Sequence, residues 1–264
     1  MGVNAQAIKK INCDMEKPEF LTVDEFHIAI LTAKGSKTKS VKNEDSCGFV
    51  IPYPNQIALV VSDGLGGHQM GDKASQIVVN TLLGRNSKQR RPFKPSTMMN
   101  RMETAHYKIQ DLGVDAGATA VAAVIEKDSF WFYSVGDSMG MLLRKTGEIV
   151  YKTYEHSVVG FATEAGLIEE KEAKDHEQSH IILNSLGFSD SRMESSFKLG
   201  IQKEDMVFLC SDGLTDIMTT EEIVKCLKAS SFEKGILDLY QMASDLRVKE
   251  NHFDDLTFIA CLNK

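Results

Sequence analysis

The sequence predicts an α+β fold in which antiparallel sheets are covered by helices. Two observations carry this. Strands come in runs, and the runs alternate with helix pairs rather than with the single crossovers that a doubly wound parallel sheet requires. Within a run, short polar turns such as Lys127-Asp128 and Lys145-Thr146-Gly147 separate one strand from the next, as antiparallel neighbours allow.

Residues 1–23 show no clear periodicity and are expected to form a poorly defined leader that packs loosely or adds an edge element. Phe-His-Ile-Ala-Ile-Leu-Thr-Ala at 26–33 suits a strand, and two more are expected at 47–51 and 57–62, with Pro52-Tyr53-Pro54-Asn55 as the turn between them. Residues 72–83 place Ala74, Ile77, Val78 and Leu82 at helical spacing, and 96–112 form a second amphipathic helix; this pair should cover one sheet. Three or four strands follow as a meander over 119–151, and a polar, helix-prone stretch at 163–180 interrupts the β pattern. Strands resume at 206–211, helices follow at 220–229 and 232–248, and a last strand lies at 256–262. No repeat, low-complexity tract or linker divides the chain, so one domain over 1–264 is expected.

With 264 residues, 42% of them hydrophobic, the chain can bury one large core. A formal charge of −7 argues against nucleic acid or an anionic membrane as the main partner, since neither would be attracted overall. Cys13, Cys47, Cys210, Cys226 and Cys261 are odd in number and scattered, with no C-x-x-C pair, which indicates neither a disulfide framework nor a zinc site and fits a reducing compartment. No apolar run approaches the roughly 18 residues of a membrane span, and the first residues lack the apolar core of a signal peptide. A soluble, cytoplasmic protein is expected.

The chemistry is concentrated in four aspartate-bearing segments: Ser62-Asp63-Gly64-Leu65-Gly66-Gly67-His68, Gly136-Asp137-Ser138, Ser211-Asp212-Gly213-Leu214-Thr215-Asp216, and Asp254-Asp255-Leu256-Thr257. The first three directly follow apolar runs at 57–61, 130–135 and 206–210, and the fourth precedes one at 258–261. Carboxylates converging from several strand ends repel one another and are costly to desolvate unpaired, so bound hard cations are the economical explanation. Asp63 could bridge two cations while Gly64 lets its own carbonyl approach one of them; the same residues would also serve as a strand-to-helix turn. Asp212 and Asp216, four apart, share a face if the turn is helical, and otherwise read as a helix cap. Asp137, Asp254 and Asp255 taken singly are ordinary turn residues. No Gly-Lys-Ser/Thr follows the glycines, which argues against a nucleotide P-loop, and Cys210 lies in an apolar strand without a basic neighbour, as a core thiol would.

Taken together and in order, these segments resemble the metal-dependent serine/threonine protein phosphatases of type 2C, the bacterial branch in particular. The match runs from Asn43-Glu44-Asp45-Ser46 through Gly117-Ala118-Thr119-Ala120, Gly-Asp-Ser, Glu155-His156-Ser157, Glu164-Ala165-Gly166-Leu167-Ile168 with Glu172-Ala173, and Ser211-Asp212-Gly213, to Asp254-Asp255-Leu256-Thr257. The resemblance implies a four-layer α-β-β-α sandwich of two antiparallel sheets with a binuclear manganese or magnesium centre at one end. It implies that Asp63 bridges the two metals, that the Gly64 carbonyl ligates one, and that Asp212 and Asp254 complete the other site. Glu44 would contact the first metal directly or through water. Asp45 and Asp255 would stand behind the ligands; Asp255 occupies a position that is often asparagine, so its charge either tightens the site or is merely solvated. Asp137 and Asp216, with Asp212, match a weaker third metal site. A water activated between two cations about 4 Å apart would attack phosphorus in line, without a covalent phosphoenzyme. The segment 156–187 resembles a flap beside the active site that contacts substrate protein, and the implied partners are phosphorylated proteins, including a serine/threonine kinase or its targets.

The pattern breaks at Ser40, where the family usually has a phosphate-gripping arginine four residues before the position of Glu44. Serine supplies neither charge nor a bidentate fork. Lys34, Lys37, Lys39 and Lys42 surround the gap, and in an extended segment Ser40 and Lys42 face the same way, which makes Lys42 the candidate phosphate-binding cation; the lysine run otherwise reads as a solvated loop. Met139 replaces a common arginine, Glu155 a usual aspartate, and Leu65 stands where the eukaryotic branch has a histidine, with His68 further on. Two readings follow: an active phosphatase, favoured by intact Asp63, Asp212 and Asp254, or a catalytically weak relative that binds phosphoproteins as a regulatory module, favoured by Ser40.

Overall fold

The structure, a computed structural model, describes residues 7–35, 42–65, 70–84, 93–113, 115–252 and 254–264. In chain order the elements are β1 (Ala7–Ile11), β2 (Glu19–Val23), β3 (Phe26–Ala33), β4 (Ser46–Tyr53), β5 (Gln56–Ser62), α1 (Gly71–Leu83), α2 (Pro95–Gln110), β6 (Ala120–Glu126), β7 (Ser129–Val135), β8 (Met139–Leu143), β9 (Ile149–Lys152), α3 (Val158–Glu164), α4 (Glu170–Lys174), β10 (Glu194–Ser195), β11 (Leu199–Gly200), β12 (Met206–Cys210), α5 (Asp212–Thr215), α6 (Thr220–Leu227), α7 (Phe232–Lys249) and β13 (Leu256–Asn263). One sheet runs β1-β4-β5-β6-β7-β10, with β11 also on β7; the other runs β2-β3-β13-β12-β8-β9. Every named pairing is antiparallel.

The near-continuous apolar strands are explained by burial on both faces. Side chains alternate across a strand, so Phe49, Leu59, Val61, Val121 and Phe132 of the first sheet meet Ile28, Ile30, Val207, Leu209 and Ile259 of the second in a shared inner core. The opposite faces are covered by helices: Val60, Ala122 and Val124 pack with Val78, Leu82 and Met98 of α1 and α2, and Leu31, Phe208 and Phe258 with Ile223, Ile236 and Leu239 of α6 and α7. The result is the expected four-layer α-β-β-α sandwich. Each fully buried large apolar side chain contributes about 1.5–3 kcal/mol relative to exposure, and the three cores together fix which face of each strand points where.

The meander expected over 119–151 is divided. β6 and β7 belong to the first sheet, β8 and β9 to the second, and the chain changes sheet at Gly136-Asp137-Ser138. Gly136 has φ 95°, and a Cβ there would stand 2.7 Å from Thr119 Cγ2, so both backbone and space require glycine. Within the expected leader, Ala7–Ile11 and Glu19–Val23 form strands that the sequence does not suggest: β1 pairs with β4 and β2 with β3, one edge strand for each sheet. Pro52 and Tyr53 extend β4 across a register shift between Val50 and Tyr53, where a proline lacking an N–H is tolerated, and the turn narrows to Pro54-Asn55, with Asn55 at φ 60°. β10 and β11, two residues each, are too short for periodicity to reveal.

Candidate metal centre and active site

Asp63, Asp137 and Asp212 each present a carboxylate oxygen, and these oxygens lie within 4.8 Å of one another. They come from the ends of β5, of β7 and of β12, so both sheets contribute to one acidic centre. Thr119 fastens two of the three segments together: its Oγ1 accepts from Asp63 N at 2.9 Å and bonds Ser138 Oγ at 2.7 Å, and its N–H donates to the Asp63 carbonyl at 2.9 Å. Asp212 opens α5, and Asp216 N donates to its carbonyl at 2.8 Å, so the two do share a helical turn. Gly64 and Gly213 are compelled by close approach, since a Cβ would stand 2.2 Å from the Gly71 carbonyl oxygen or 1.9 Å from that of Asp255.

Burial and mutual repulsion make this centre expensive for a protein without counter-ions. Burial first, then the charges of Asp45, Asp254 and Asp137, push the Asp63 carboxyl well above the usual carboxylate range; Asp212 is raised in the same direction by burial and then Asp63 and Asp254. Burial followed by Glu155 pushes Asp137 up to about 7. Its Oδ1 is fully buried and has no hydrogen-bond partner among the described residues. Three convergent carboxylates, one with an orphaned oxygen and, among the described residues, none with a nitrogen or sulfur co-ligand, fit a hard divalent cation such as magnesium or manganese.

The remaining predicted residues surround this trio. Asp254 is exposed, its carboxylate accepts from Asp255 N at 2.8 Å, and its charge helps to raise the Asp63 and Asp212 carboxyls. Glu44 is half-buried and pushed up to about 7 by burial, then Asp255, Asp72 and Asp254, and its carbonyl accepts from Gly64 N at 3.2 Å. Asp45, 1% exposed, is pushed up to about 8 by burial and then Asp255, partly offset by hydrogen bonds from Thr257 and Ser211, whose Oγ donates at 2.7 Å. Lys42 is exposed and held by Asp72 Oδ2 at 2.7 Å, at the start of α1. Ser40 and His68 lie outside the described residues. Cys210 is buried and burial raises its thiol, in keeping with a core role. Met139 is fully buried as the first residue of β8.

The sequence from residue 35 to 249 matches a family described as Protein phosphatase 2C. The chain belongs to that family. Membership makes it a protein serine/threonine phosphatase of the bacterial type, and the family is metal-dependent. It is 30% identical over 204 residues to the serine/threonine phosphatase Stp of Listeria welshimeri, covering 71% of this chain and 78% of that one. The fold is shared with the crystal structure of Stp1 from Staphylococcus aureus at a TM-score of 0.77 and 26% identity, covering 96% of this chain and all of the other. The catalytic domain of the phosphatase PstP, solved in complex with two manganese ions, shares the fold at a TM-score of 0.73 and 22% identity, covering 90% and 97% of the two chains.

The phosphatase carries α3 and α4 over the acidic centre, with a cavity of about 60 Å³ beneath them lined by Asp137, Asp212, Asp216, Lys152, Glu155 and Glu170. Glu170 accepts from Thr220 N at 3.1 Å and pairs with Lys152 at 3.5 Å, which ties α4 to α6 and to β9. His156 joins the segment that bears α3 to the Gly136-Asp137-Ser138 turn: its Nδ1 accepts from Gly136 N at 3.2 Å, its backbone N–H donates to the Gly136 carbonyl at 2.9 Å, and Phe161 of α3 stacks on the ring at 6.2 Å. Thr119 and His156 stand in motifs the sequence singles out, without a role attached to either. Lys152 ends an ordinary β-strand and offers no sequence signal.

Proposed function

We propose that this phosphatase hydrolyses phosphoserine and phosphothreonine of proteins at a centre that holds two manganese or magnesium ions, with room for a third. The observation that carries the reading is the trio Asp63, Asp137 and Asp212, with oxygens within 4.8 Å of one another and one buried oxygen unpartnered. Asp63, the Gly64 carbonyl, Asp212, Asp254 and Glu44 are the residues that would hold the two core ions, and Asp137 and Asp216, with Asp212, the third. Bound cations supply charge that offsets the phosphoryl oxygens and acidify the attacking water.

The chain's own residues set the stage for that chemistry. Thr119 fixes Asp63 relative to the Gly-Asp-Ser turn, and Ser211 Oγ holds Asp45 behind Asp63. Lys42, exposed beside α1 and paired with Asp72, is the cation we assign to a substrate phosphate, while α3 and α4 would present the surface that a phosphoprotein meets. The manganese ions of the PstP catalytic domain support the choice of metal. Substrate proteins and the kinase that phosphorylates them are placed in the cytoplasm, which suits five free cysteines, three of them buried; no helix among the described residues is long and apolar enough to cross a membrane. Ser40 is the sequence feature on the side of a binding module without turnover, and the phosphatase relatives do not favour that alternative.

Phosphate release from p-nitrophenyl phosphate and from a phosphothreonine peptide tests the proposal, each measured with manganese and with chelator. Release with manganese that stops in excess EDTA is expected. Undiminished turnover in EDTA contradicts the metal mechanism.

A further inference from the structure

Asp255 is an acidic residue for which the resemblance leaves two roles open, tightening the metal site or standing idle in solvent. It is 3% exposed, which removes the second. Both its carboxylate oxygens are committed to the backbone: Oδ1 accepts from Gly35 N at 2.7 Å and Oδ2 from Glu44 N at 2.6 Å. The two donors sit at opposite ends of the segment that leads from β3 into the Glu44-Asp45 pair. Asp255 is itself rigidly placed. Its N–H donates to Asp254 Oδ1 at 2.8 Å, its carbonyl lies against Gly213, and β13 begins at the next residue, where Leu256 pairs with Ala33. From the other side, the Glu44 carbonyl accepts from Gly64 N at 3.2 Å and from Ser75 Oγ at 2.5 Å.

We infer that Asp255 is a positioning residue, a carboxylate clasp that binds the backbone N–H groups of Gly35 and Glu44 on its two oxygens and thereby holds Glu44, and with it the nearby Lys42, in place beside the acidic centre. The charge is integral to the clasp. A carboxylate offers acceptors on both oxygens, whereas asparagine offers one acceptor and turns an NH2 toward the second N–H donor. Hydrogen bonds from backbone amides to an ionised acceptor are also the stronger kind. A further carboxylate beside Glu44, Asp45 and Asp254 adds repulsion, so its retention at a buried position calls for such a structural return.

The kinetic part of the test rests on the phosphatase reading; the exchange part does not. Asp255→Asn and Asp255→Ala are compared with the wild type. In chelator, amide hydrogen exchange at one of Gly35 and Glu44 should quicken by about tenfold in Asp255→Asn, the loss of one charge-assisted bond, and at both in Asp255→Ala, while β3, β5 and β12 keep their protection. With manganese, KM for p-nitrophenyl phosphate should rise by about tenfold with kcat changed less than about threefold, because a positioned cation acts on ground and transition states alike. Adding Lys42→Ala to Asp255→Asn should raise KM no further. If Asp255→Ala fails to fold, the isosteric asparagine variant carries the test. Unchanged exchange at both amides overturns the clasp. Faster exchange with unchanged KM overturns the positioning role, as does a shift confined to the manganese requirement. A wild type inactive with manganese contradicts the phosphatase reading and leaves exchange to decide the clasp.

Discussion

Asp212→Asn should stabilise the metal-free protein while destroying its activity. At separations of no more than 4.8 Å, each pair among Asp63, Asp137 and Asp212 repels by about 3 kcal/mol or more when both are ionised, at an effective dielectric of about 20. Protonation caps that cost. Asp137, moved from 3.8 to about 7, carries a cost of about 4 kcal/mol above neutral pH, Asp63 and Asp212 are raised in the same direction, and burial, the largest cause at all three, persists for the two that remain. Replacing Asp212 by a neutral isostere therefore relieves roughly 2–4 kcal/mol, which for a chain of this size raises Tm by on the order of 10 °C. The sign follows from the direction of the shift. A carboxyl raised in the folded state contributes stability fully present below its unfolded value near 3.8, and that stability is lost as pH rises through the folded value. The gap between variant and wild type should thus be widest near pH 8 and narrow toward pH 5. Thermal unfolding in EDTA across that range is the assay, with phosphatase activity in manganese lower by several orders of magnitude and a smaller manganese-induced rise in Tm than the wild type. A variant in EDTA that melts at or below the wild type at pH 8, or a gap independent of pH, refutes the reasoning.

Other outcomes are expected of the same centre. Asp137→Ala should impair turnover and abolish the weakest manganese binding event in calorimetry while two tighter events remain; loss of the tight events would place Asp137 in the core. Lys42→Ala should raise KM for p-nitrophenyl phosphate with little change in Tm, since its exposed pair with Asp72 is worth about 0–1 kcal/mol, and an unchanged KM would mean phosphate is held without it. Exchanging residues 163–180 for another segment of equal length should reduce activity on phosphoproteins more than on p-nitrophenyl phosphate. Equal losses on both would give α3 and α4 a purely supporting role.

Strand ends were legible because hydrophobic runs and the aspartates that terminate them are local features. Asp63 after β5 and Asp212 after β12 follow directly from that pattern. What brings Asp137 beside them is the change of sheet at Gly136-Asp137-Ser138, and a meander and a sheet crossover have the same periodicity in sequence. Asp254 reads as the equal of the others, and it differs from them in being exposed while its charge still raises Asp63 and Asp212. Thr119 and Asp255 stand in motifs the sequence singles out, but they take their roles from partners distant in the chain, Ser138 for one and Gly35 and Glu44 for the other, so no local pattern could announce those roles. The edge strands β1 and β2 likewise depend on pairing with β4 and β3 rather than on their own half-buried sequences.

The central claim is that the acidic centre binds the catalytic metals. Anomalous diffraction from crystals grown with manganese tests it most directly. Two strong peaks among the carboxylates of Asp63, Asp212 and Asp254, with Asp63 touching both, are the predicted result. Manganese found elsewhere, or absent from these carboxylates in crystals of protein that remains active, would contradict it.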